Sequence, residues 1–274
     1  MESGSSSNKT LWILLGGAAA LIGGALAYSM FSGADEDEDK EFKEDLEKLA
    51  KVEKDPSGII KLEDFVNLFK LVTKHAKKKI GSVKAEYAQQ RRKFLKDGNN
   101  DEYKNIVKDQ MQREEAIYQD VANEAMSHFD IQEQEFMMSQ HTHMSNPRFQ
   151  QTMMNIQMGL GGDADPKWKP LVTKEKAKEI FKFIEDLKFK MMEDLAQNEN
   201  SQMDQMEATI YMVCEHQKVG DLLFDKFGIE EEEFTKCIQH YELMKDPEII
   251  RLMTENMQKL GPEAMAMIGG MPQM

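Results

Sequence analysis

The hydrophobic and polar positions divide the chain into one long apolar run and a series of amphipathic segments. The apolar run covers residues 11–31 and contains no charged side chain. As a helix rising about 1.5 Å per residue it would span about 31 Å, enough to cross the hydrocarbon core of a bilayer. Further along, apolar residues recur three and four positions apart, and Gly and Pro are sparse. The pattern predicts an all-α chain with a single N-terminal transmembrane helix.

Small residues line one face of the predicted anchor in two series, Gly16, Ala20 and Gly24, and Ala19, Gly23 and Ala27. Small residues four positions apart let another transmembrane helix approach closely, so they favour packing against other membrane proteins. A Gly- and Ala-rich anchor without a partner is the alternative. A secretory signal peptide with a cleavage site at Ala25-Leu26-Ala27 is an alternative. A mitochondrial presequence is disfavoured, because the first ten residues contain one Lys and no Arg.

Three blocks of sequence occur twice, in the same order. Residues 60–71 match 172–183 at an offset of 112, residues 129–136 match 227–234 at 98, and residues 144–161 match 244–261 at 100. Matching blocks in one order predict a tandem duplication of a helical-hairpin unit. The first copy has 14 extra residues, which predict an additional or longer helical arm broken near Gly81-Ser82.

The duplication gives the predicted domain boundaries. These are a disordered N-terminus (1–10), the anchor (11–31), an acidic spacer and helix (32–54), repeat unit 1 (55–162), repeat unit 2 (163–261) and a Met-rich tail (262–274). The acidic run 35–39 is expected to be a solvated spacer before a helix of roughly residues 40–52. Asn146-Pro147 and Asp246-Pro247 are expected to start helices, since Asn or Asp caps a helix and Pro suits its first turn.

Composition limits the classes of partner. The 35 basic and 49 acidic residues give a net charge of −14, which argues against nucleic acid as a main partner. Two cysteines, Cys214 and Cys237, provide no disulfide framework, which fits a reducing or mitochondrial compartment. Lysines downstream of the anchor weakly favour the cytoplasmic or matrix-like side for the helical units.

Residues 53–64 resemble an EF-hand calcium loop, with Gly58 at the sharp turn and Ile60 at the apolar position. The resemblance implies calcium ligands at Glu53, Asp55, Ser57 and Asp64. The loop departs from the family pattern in its first and last ligands and in having Pro at its fourth position. The alternative is a turn with a helix cap, without metal.

Residues 144–161 and 244–268 resemble the DP segments of Hop-type co-chaperones, which are Met- and Gln-rich helices opened by Asn-Pro or Asp-Pro. In that family these helices line a groove for apolar peptides. The resemblance implies apolar contacts by Met153, Met154, Met253 and Met257. Because Met also fills irregular cores, core packing is the alternative.

A basic belt runs from residue 74 to residue 96 and is interrupted by a single acidic residue. A belt so close to a membrane anchor is suited to anionic lipid or an acidic partner. Pairing with the chain's own acidic runs 35–39 and 230–233 is the alternative. The candidate contact residues are Lys74, Lys77, Lys78, Lys84, Arg91 and Arg92.

The sequence contains no glycine-rich phosphate loop and no nucleophile elbow, and it indicates no cofactor or small-molecule substrate. We therefore expect a non-enzymatic, single-pass structural or accessory subunit of a membrane assembly, with the mitochondrial inner membrane as the preferred setting. A membrane-tethered receptor or co-chaperone that binds apolar client segments is the alternative. A calcium-responsive tether is a third hypothesis.

Overall fold

The computed structural model describes residues 34–49, 51–157, 168–197 and 205–259. These ranges contain nine α-helices and a short 3₁₀-helix, and their β structure is limited to an isolated antiparallel bridge between Lys54 and Ile60. The prediction of an all-α chain is confirmed. The helices are α1 (Ala34–Lys48), α2 (Leu62–Lys96), α3 (Asn100–His128), α4 (Glu133–His143), α5 (Pro147–Gln157), α6 (Lys174–Gln197), α7 (Gln205–Phe227), α8 (Glu231–His240), the 3₁₀-helix (Leu243–Lys245) and α9 (Pro247–Lys259).

The predicted transmembrane segment, residues 11–31, lies outside the described ranges, as do its small residues. Within the described ranges, no helix combines the length and the apolar character needed to cross a membrane. The anchor therefore stays a prediction from the sequence. The N-terminus (1–10) and the Met-rich tail (262–274) also lie outside the described ranges.

The chain forms two compact units. The first consists of Met1–Glu86 and Gln110–Gly162, and the second consists of Tyr87–Asp109 and Asp163–Met274. The end of α2 and the start of α3 therefore belong to the second unit, together with the turn that joins them. We call this segment, residues 87–109, the hairpin tip.

The core of the first unit is built from one face of each of its helices. α1 contributes Phe42 and Leu46, which are 0% and 1% exposed and lie four residues apart on one stripe. Phe65 of α2 packs its ring 5.3 Å from Phe136 of α4 and 5.4 Å from Phe149 of α5. α1 is thus part of the core of the first unit.

The core of the second unit has the same plan. Ile180 of α6, Leu223 of α7, Phe234 of α8 and Ile249 of α9 are all at most 1% exposed and belong to one apolar cluster. Phe136 and Phe234 occupy the same position in the repeat, at the offset of 98 found in the sequence.

Two details of the predicted helices are wrong. α1 begins at Ala34, so the acidic run 35–39 lies within the helix; acidic side chains near a helix N-terminus are favoured by the helix dipole. α2 continues from Leu62 to Lys96 through Gly81 and Ser82 without a break. A single interior Gly costs a helix only about 1 kcal/mol, which the packing of such a long helix offsets.

The predicted starts of α5 and α9 are confirmed. The side chain of Asn146 accepts a hydrogen bond from the N–H of Arg148 at 2.9 Å, and that of Asp246 accepts one from the N–H of Glu248 at 3.0 Å. Each cap satisfies a backbone donor that the first helical turn leaves free. The same capping chemistry therefore begins the corresponding helix in both units.

Candidate functional site

A group of ionisable side chains joins α1 to α2 in the first unit, and we call it the α1–α2 cluster. Lys74 donates a hydrogen bond to Oδ2 of Asp45 at 2.7 Å, and Nε2 of His75 lies 3.0 Å from the same oxygen. Glu41 accepts hydrogen bonds from Lys74 at 3.1 Å and from Lys78 at 2.8 Å. Because Glu41 and Asp45 are four residues apart, one face of α1 presents both carboxylates to α2.

The protonation states in the α1–α2 cluster follow from its contacts. The ammonium group of Lys74 holds the pKa of Asp45 well below its usual range, and Lys78 lowers the pKa of Glu41. Burial lowers the pKa of His75, which is 2% exposed with its ring 4.7 Å from that of Phe42. At neutral pH the cluster therefore contains two carboxylates, the ammonium group of Lys74 and a neutral imidazole.

The α1–α2 cluster also contains residue types that bind metals. Three possible metal ligands lie within 4.8 Å of one another, one atom each from Glu41, Asp45 and His75. Among the described residues, this is the group of such side chains that could hold a metal ion. Carboxylate and imidazole ligands suit an ion such as zinc. Both carboxylates are already hydrogen-bonded to lysine ammonium groups, however, so the geometry is that of an ion-pair clamp holding α1 on α2.

The predicted basic belt has partners within the chain at most of its positions. Lys84 is half-buried, and Lys74 and Lys78 belong to the α1–α2 cluster. Partners are described for three further lysines: the carbonyl of Ile156 for Lys77 (2.8 Å), Asp39 for Lys79 (2.7 Å) and Asp225 for Lys96 (2.7 Å). These contacts favour internal pairing, and lipid contact stays a prediction.

Arg91 and Arg92 enter a buried polar network in the second unit, centred on Asp221 of α7. Asp221 is 1% exposed and Arg91 is 5% exposed. Arg91 donates from Nε to Oδ2 at 3.0 Å and from Nη2 to Oδ1 at 3.2 Å, while Nε of Arg92 donates to Oδ1 at 3.2 Å. The hydroxyl of Tyr103 donates to Oδ2 at 2.7 Å. Both oxygens of the buried carboxylate are therefore satisfied.

Arg92 connects this network to the surface. It donates two hydrogen bonds to the carboxylate of Glu230, at 3.0 and 2.6 Å, and its guanidinium lies 3.6 Å from the ring centre of Phe224. Burial raises the pKa of the Tyr103 phenol, so the hydroxyl stays a donor at all physiological pH values. Each group is bound to a partner in the same unit, which is the arrangement of a structural latch.

The calcium candidates take part in a tight loop. Oδ1 of Asp55 accepts hydrogen bonds from the N–H and hydroxyl of Ser57, at 2.8 and 2.6 Å, and from the N–H of Ile59 at 3.0 Å. The carboxylate of Asp64 accepts a hydrogen bond from the N–H of Glu53 at 2.9 Å, while the carboxylate of Glu53 pairs with Lys61. All four candidate residues thus have hydrogen-bonded or ionic partners in the loop.

The same loop is held by side chains of α4. Ile60 donates its N–H to the hydroxyl of Ser139 at 2.8 Å, and its carbonyl accepts a hydrogen bond from Nε2 of His143 at 2.8 Å. The ammonium group of Lys54 bridges Glu135 at 2.6 Å and the carbonyl of Asp130 at 2.8 Å. Two side chains one helical turn apart therefore bind both backbone groups of one loop residue.

The second unit repeats this arrangement with different chemistry. Val172, offset by 112 from Ile60, accepts a hydrogen bond at its carbonyl from the hydroxyl of Tyr241 at 2.7 Å. Burial raises the pKa of the Cys237 thiol, and the backbone N–H groups of Leu171 and Val172 lower it to a smaller extent. Cys237 and Tyr241 are offset by 98 from Ser139 and His143. The sequence comparison missed these pairs because their side chains share a position and a role but no chemical similarity.

The candidate methionines lie at the edges of the two cores. Met153 and Met253 are half-buried and pack against the apolar clusters of the first and second units, respectively. The side chains of Met154 and Met257 lie outside what the structure describes. More exposed methionines occur elsewhere, among them Met138 (38%), Met144 (40%) and Met244 (52%).

The comparisons with known proteins identify no relative. No protein-family model, no curated protein and no solved structure matches this chain.

Proposed function

We propose that the chain is a non-enzymatic, single-pass membrane protein that serves as a structural or accessory subunit of a larger membrane assembly. The observation that carries the proposal is the docking of α1. This helix begins three residues after the apolar segment 11–31, buries Phe42 and Leu46 in the first unit, and presents Asp39, Glu41 and Asp45 to lysines of α2. A helix fixed in this way suits a subunit held in a defined orientation better than a loosely tethered enzyme.

The duplication is part of the proposal. We infer that the two units descend from one helical-hairpin ancestor, because Ile60 and Val172 are bound at equivalent positions by side chains that differ in chemistry. Asp130 and Gly228, also offset by 98, both have left-handed backbones, with φ of +50° and +67°. Such backbone agreement supports common descent more strongly than matching apolar residues do, since amphipathic helices share apolar patterns in general.

The preferred setting is a respiratory or ATP-synthase assembly of the mitochondrial inner membrane. Cys214 and Cys237 are both free and buried, as suits a reducing or mitochondrial compartment. Other membrane proteins would contact the small-residue face of the anchor, where close helix approach is sterically allowed.

The test is native size and composition after mild detergent extraction, native separation and mass spectrometry. The wild-type chain should run in a large assembly with stoichiometric membrane partners, and G16L/G24L should lose them. The matched control is A18L/A25L, which places the same side chains about half a helical turn from the small-residue face. Equal retention of partners by both variants would reject the packed anchor, and a lone wild-type species would reject the subunit role.

A tethered receptor for apolar client segments is a second candidate. It is favoured by Met144 and Met244, which hold equivalent positions before α5 and α9 and are 40% and 52% exposed. M144S/M244S tests it better than substitution of the half-buried Met153 and Met253, since exposed side chains can change without loss of core packing. Photo-crosslinking of an apolar peptide should fall several-fold in this variant, and unchanged crosslinking would reject the receptor.

A further inference from the structure

One face of α7 contacts the hairpin tip. Asp221 binds Arg91, Arg92 and Tyr103, and one turn later Asp225 pairs with Lys96 at 2.7 Å. One turn earlier, the ammonium group of Lys218 lies 5.8 Å from the ring centre of Tyr103. Positions 218, 221 and 225 follow the three- and four-residue spacing of one helix face. This face therefore meets the tip over two turns.

The tip also contains buried apolar side chains. Val107 of α3 is 1% exposed and Ala88 of α2 is 9% exposed, and both belong to the hairpin tip. The tip therefore supplies buried apolar side chains as well as charges that neutralise Asp221.

The first unit has no counterpart to this latch at the equivalent position. The residue offset by 98 from Asp221 is Asn123 of α3, and it is exposed. α2 has 35 residues whereas α6, its counterpart in the second copy, has 24. The longer helix occurs in the first copy, whereas the buried aspartate occurs in the second copy.

We propose that the hairpin tip is an obligatory folding partner of the second repeat and that Asp221 is the residue that makes it so. With the tip in place Asp221 is 1% exposed, and without the tip its carboxylate would lose all four hydrogen bonds described for it, which come from Arg91, Arg92 and Tyr103. Removal of one partner from a buried charge pair is strongly destabilising, because the remaining charge is left without compensation. The second repeat, residues 163–261, therefore cannot fold by itself, although in the sequence it looks like a complete copy.

The test is hydrogen exchange by mass spectrometry on the detergent-solubilised full-length chain, which reports local unfolding segment by segment. D221N keeps the shape of the side chain but removes the charge that compensates Arg91. We expect amides of residues 205–259 to exchange at least about 100-fold faster than in the wild type. Amides of residues 62–86 and 110–128 should keep their protection. The matched control, D225N, makes the same change at an ion pair whose side chains are 65% and 49% exposed, and it should leave both units protected.

A second pair of variants keeps the test decisive if D221N does not fold. Val107 and Val121 are both in α3 and both 1% exposed, but the first belongs to the tip and the second to the core of the first unit. V107A should accelerate exchange of residues 205–259 by about tenfold or more, and V121A should do so for residues 62–86. Equal behaviour of D221N and D225N, or loss of the first unit rather than the second in V107A, would overturn the proposal.

Discussion

The hydroxyl of Tyr241 donates a hydrogen bond to the carbonyl oxygen of Val172 over 2.7 Å, and this contact fixes the segment that precedes α6. The equivalent contact in the first unit joins His143 to Ile60 at 2.8 Å. Phenol and imidazole thus perform one task at one position of the repeat.

Y241F should therefore lower the free energy of unfolding of the second unit by about 1 kcal/mol, the net value of one intramolecular hydrogen bond. Urea unfolding measures the effect. The control is Y87F, which removes a hydrogen bond to Asp109 that is exposed to solvent and should cost less. A loss in Y241F no greater than that in Y87F would contradict a stabilising role for the contact.

We expect acid to weaken the docking of α1 on α2 through protonation of Asp45. Its pKa in the folded chain lies below the ordinary 3.8, mainly because of its hydrogen bond with Lys74. The ionised carboxylate therefore contributes its full stabilisation above pH 3.8, and this stabilisation is lost as the pH falls through the pKa of the folded chain. D45N should cost about 1–2 kcal/mol at pH 7, and the difference from the wild type should shrink between pH 4 and pH 2. The control is E44Q, at an exposed neighbouring position. A D45N effect that stays constant down to pH 2 would rule out this ionic origin.

We expect protonation of His75 to make the free energy of unfolding depend on pH at milder acidity as well. Burial lowers its pKa below 6.5, so the unfolded chain takes up a proton more readily than the folded chain does. Stability should therefore fall as pH drops below about 6.5, with a slope of at most about 1.4 kcal/mol per pH unit. Urea unfolding between pH 7 and pH 5 should show a smaller slope for H75Q. H141Q, at an exposed histidine, should keep the wild-type slope, and identical slopes in all three chains would disprove the prediction.

We expect Gly→Ala substitutions at Gly58 and Gly81 to change stability in opposite directions. Gly58 has φ of +84°, a left-handed conformation that residues with a Cβ rarely adopt, so G58A should destabilise by about 1–2 kcal/mol. Gly81 is inside α2 with nothing within 4 Å of an added Cβ, so G81A should stabilise by about 0.5–1 kcal/mol. Thermal unfolding of the two variants measures both. A loss of stability in G81A would show that α2 needs its glycine.

The sequence predicted the features of the fold that depend on local chemistry. The all-α class follows from apolar spacing, and the starts of α5 and α9 follow from the capping side chains of Asn146 and Asp246. The errors at α1 and at Gly81 have different physical causes. Local charge predicted a spacer at residues 35–39, but acidic residues near a helix N-terminus are favoured by the helix dipole. Local propensity predicted a break at Gly81, but the packing of the long helix α2 offsets the cost of one glycine.

The contacts that join distant parts of the chain could not be predicted in the same way. Asp221 resembles any polar residue of an amphipathic helix, and its arginine partners precede it by about 130 residues. The basic belt and the acidic runs were visible in the sequence, but their pairing depends on which helices meet. The anchor and its small-residue face remain sequence-based predictions.

The separation between the hairpin tip and α7 has a consequence for biosynthesis. The tip leaves the ribosome before α7 has been made, and at usual elongation rates the interval is on the order of ten seconds. The helices of the first unit, which end with α5, are completed early in that interval, whereas Asp221, the partner of Arg91 and Arg92, has not yet been made. Nascent chains should therefore acquire structure in two stages, and the interval between them is when a chaperone or an early assembly partner would find the tip accessible.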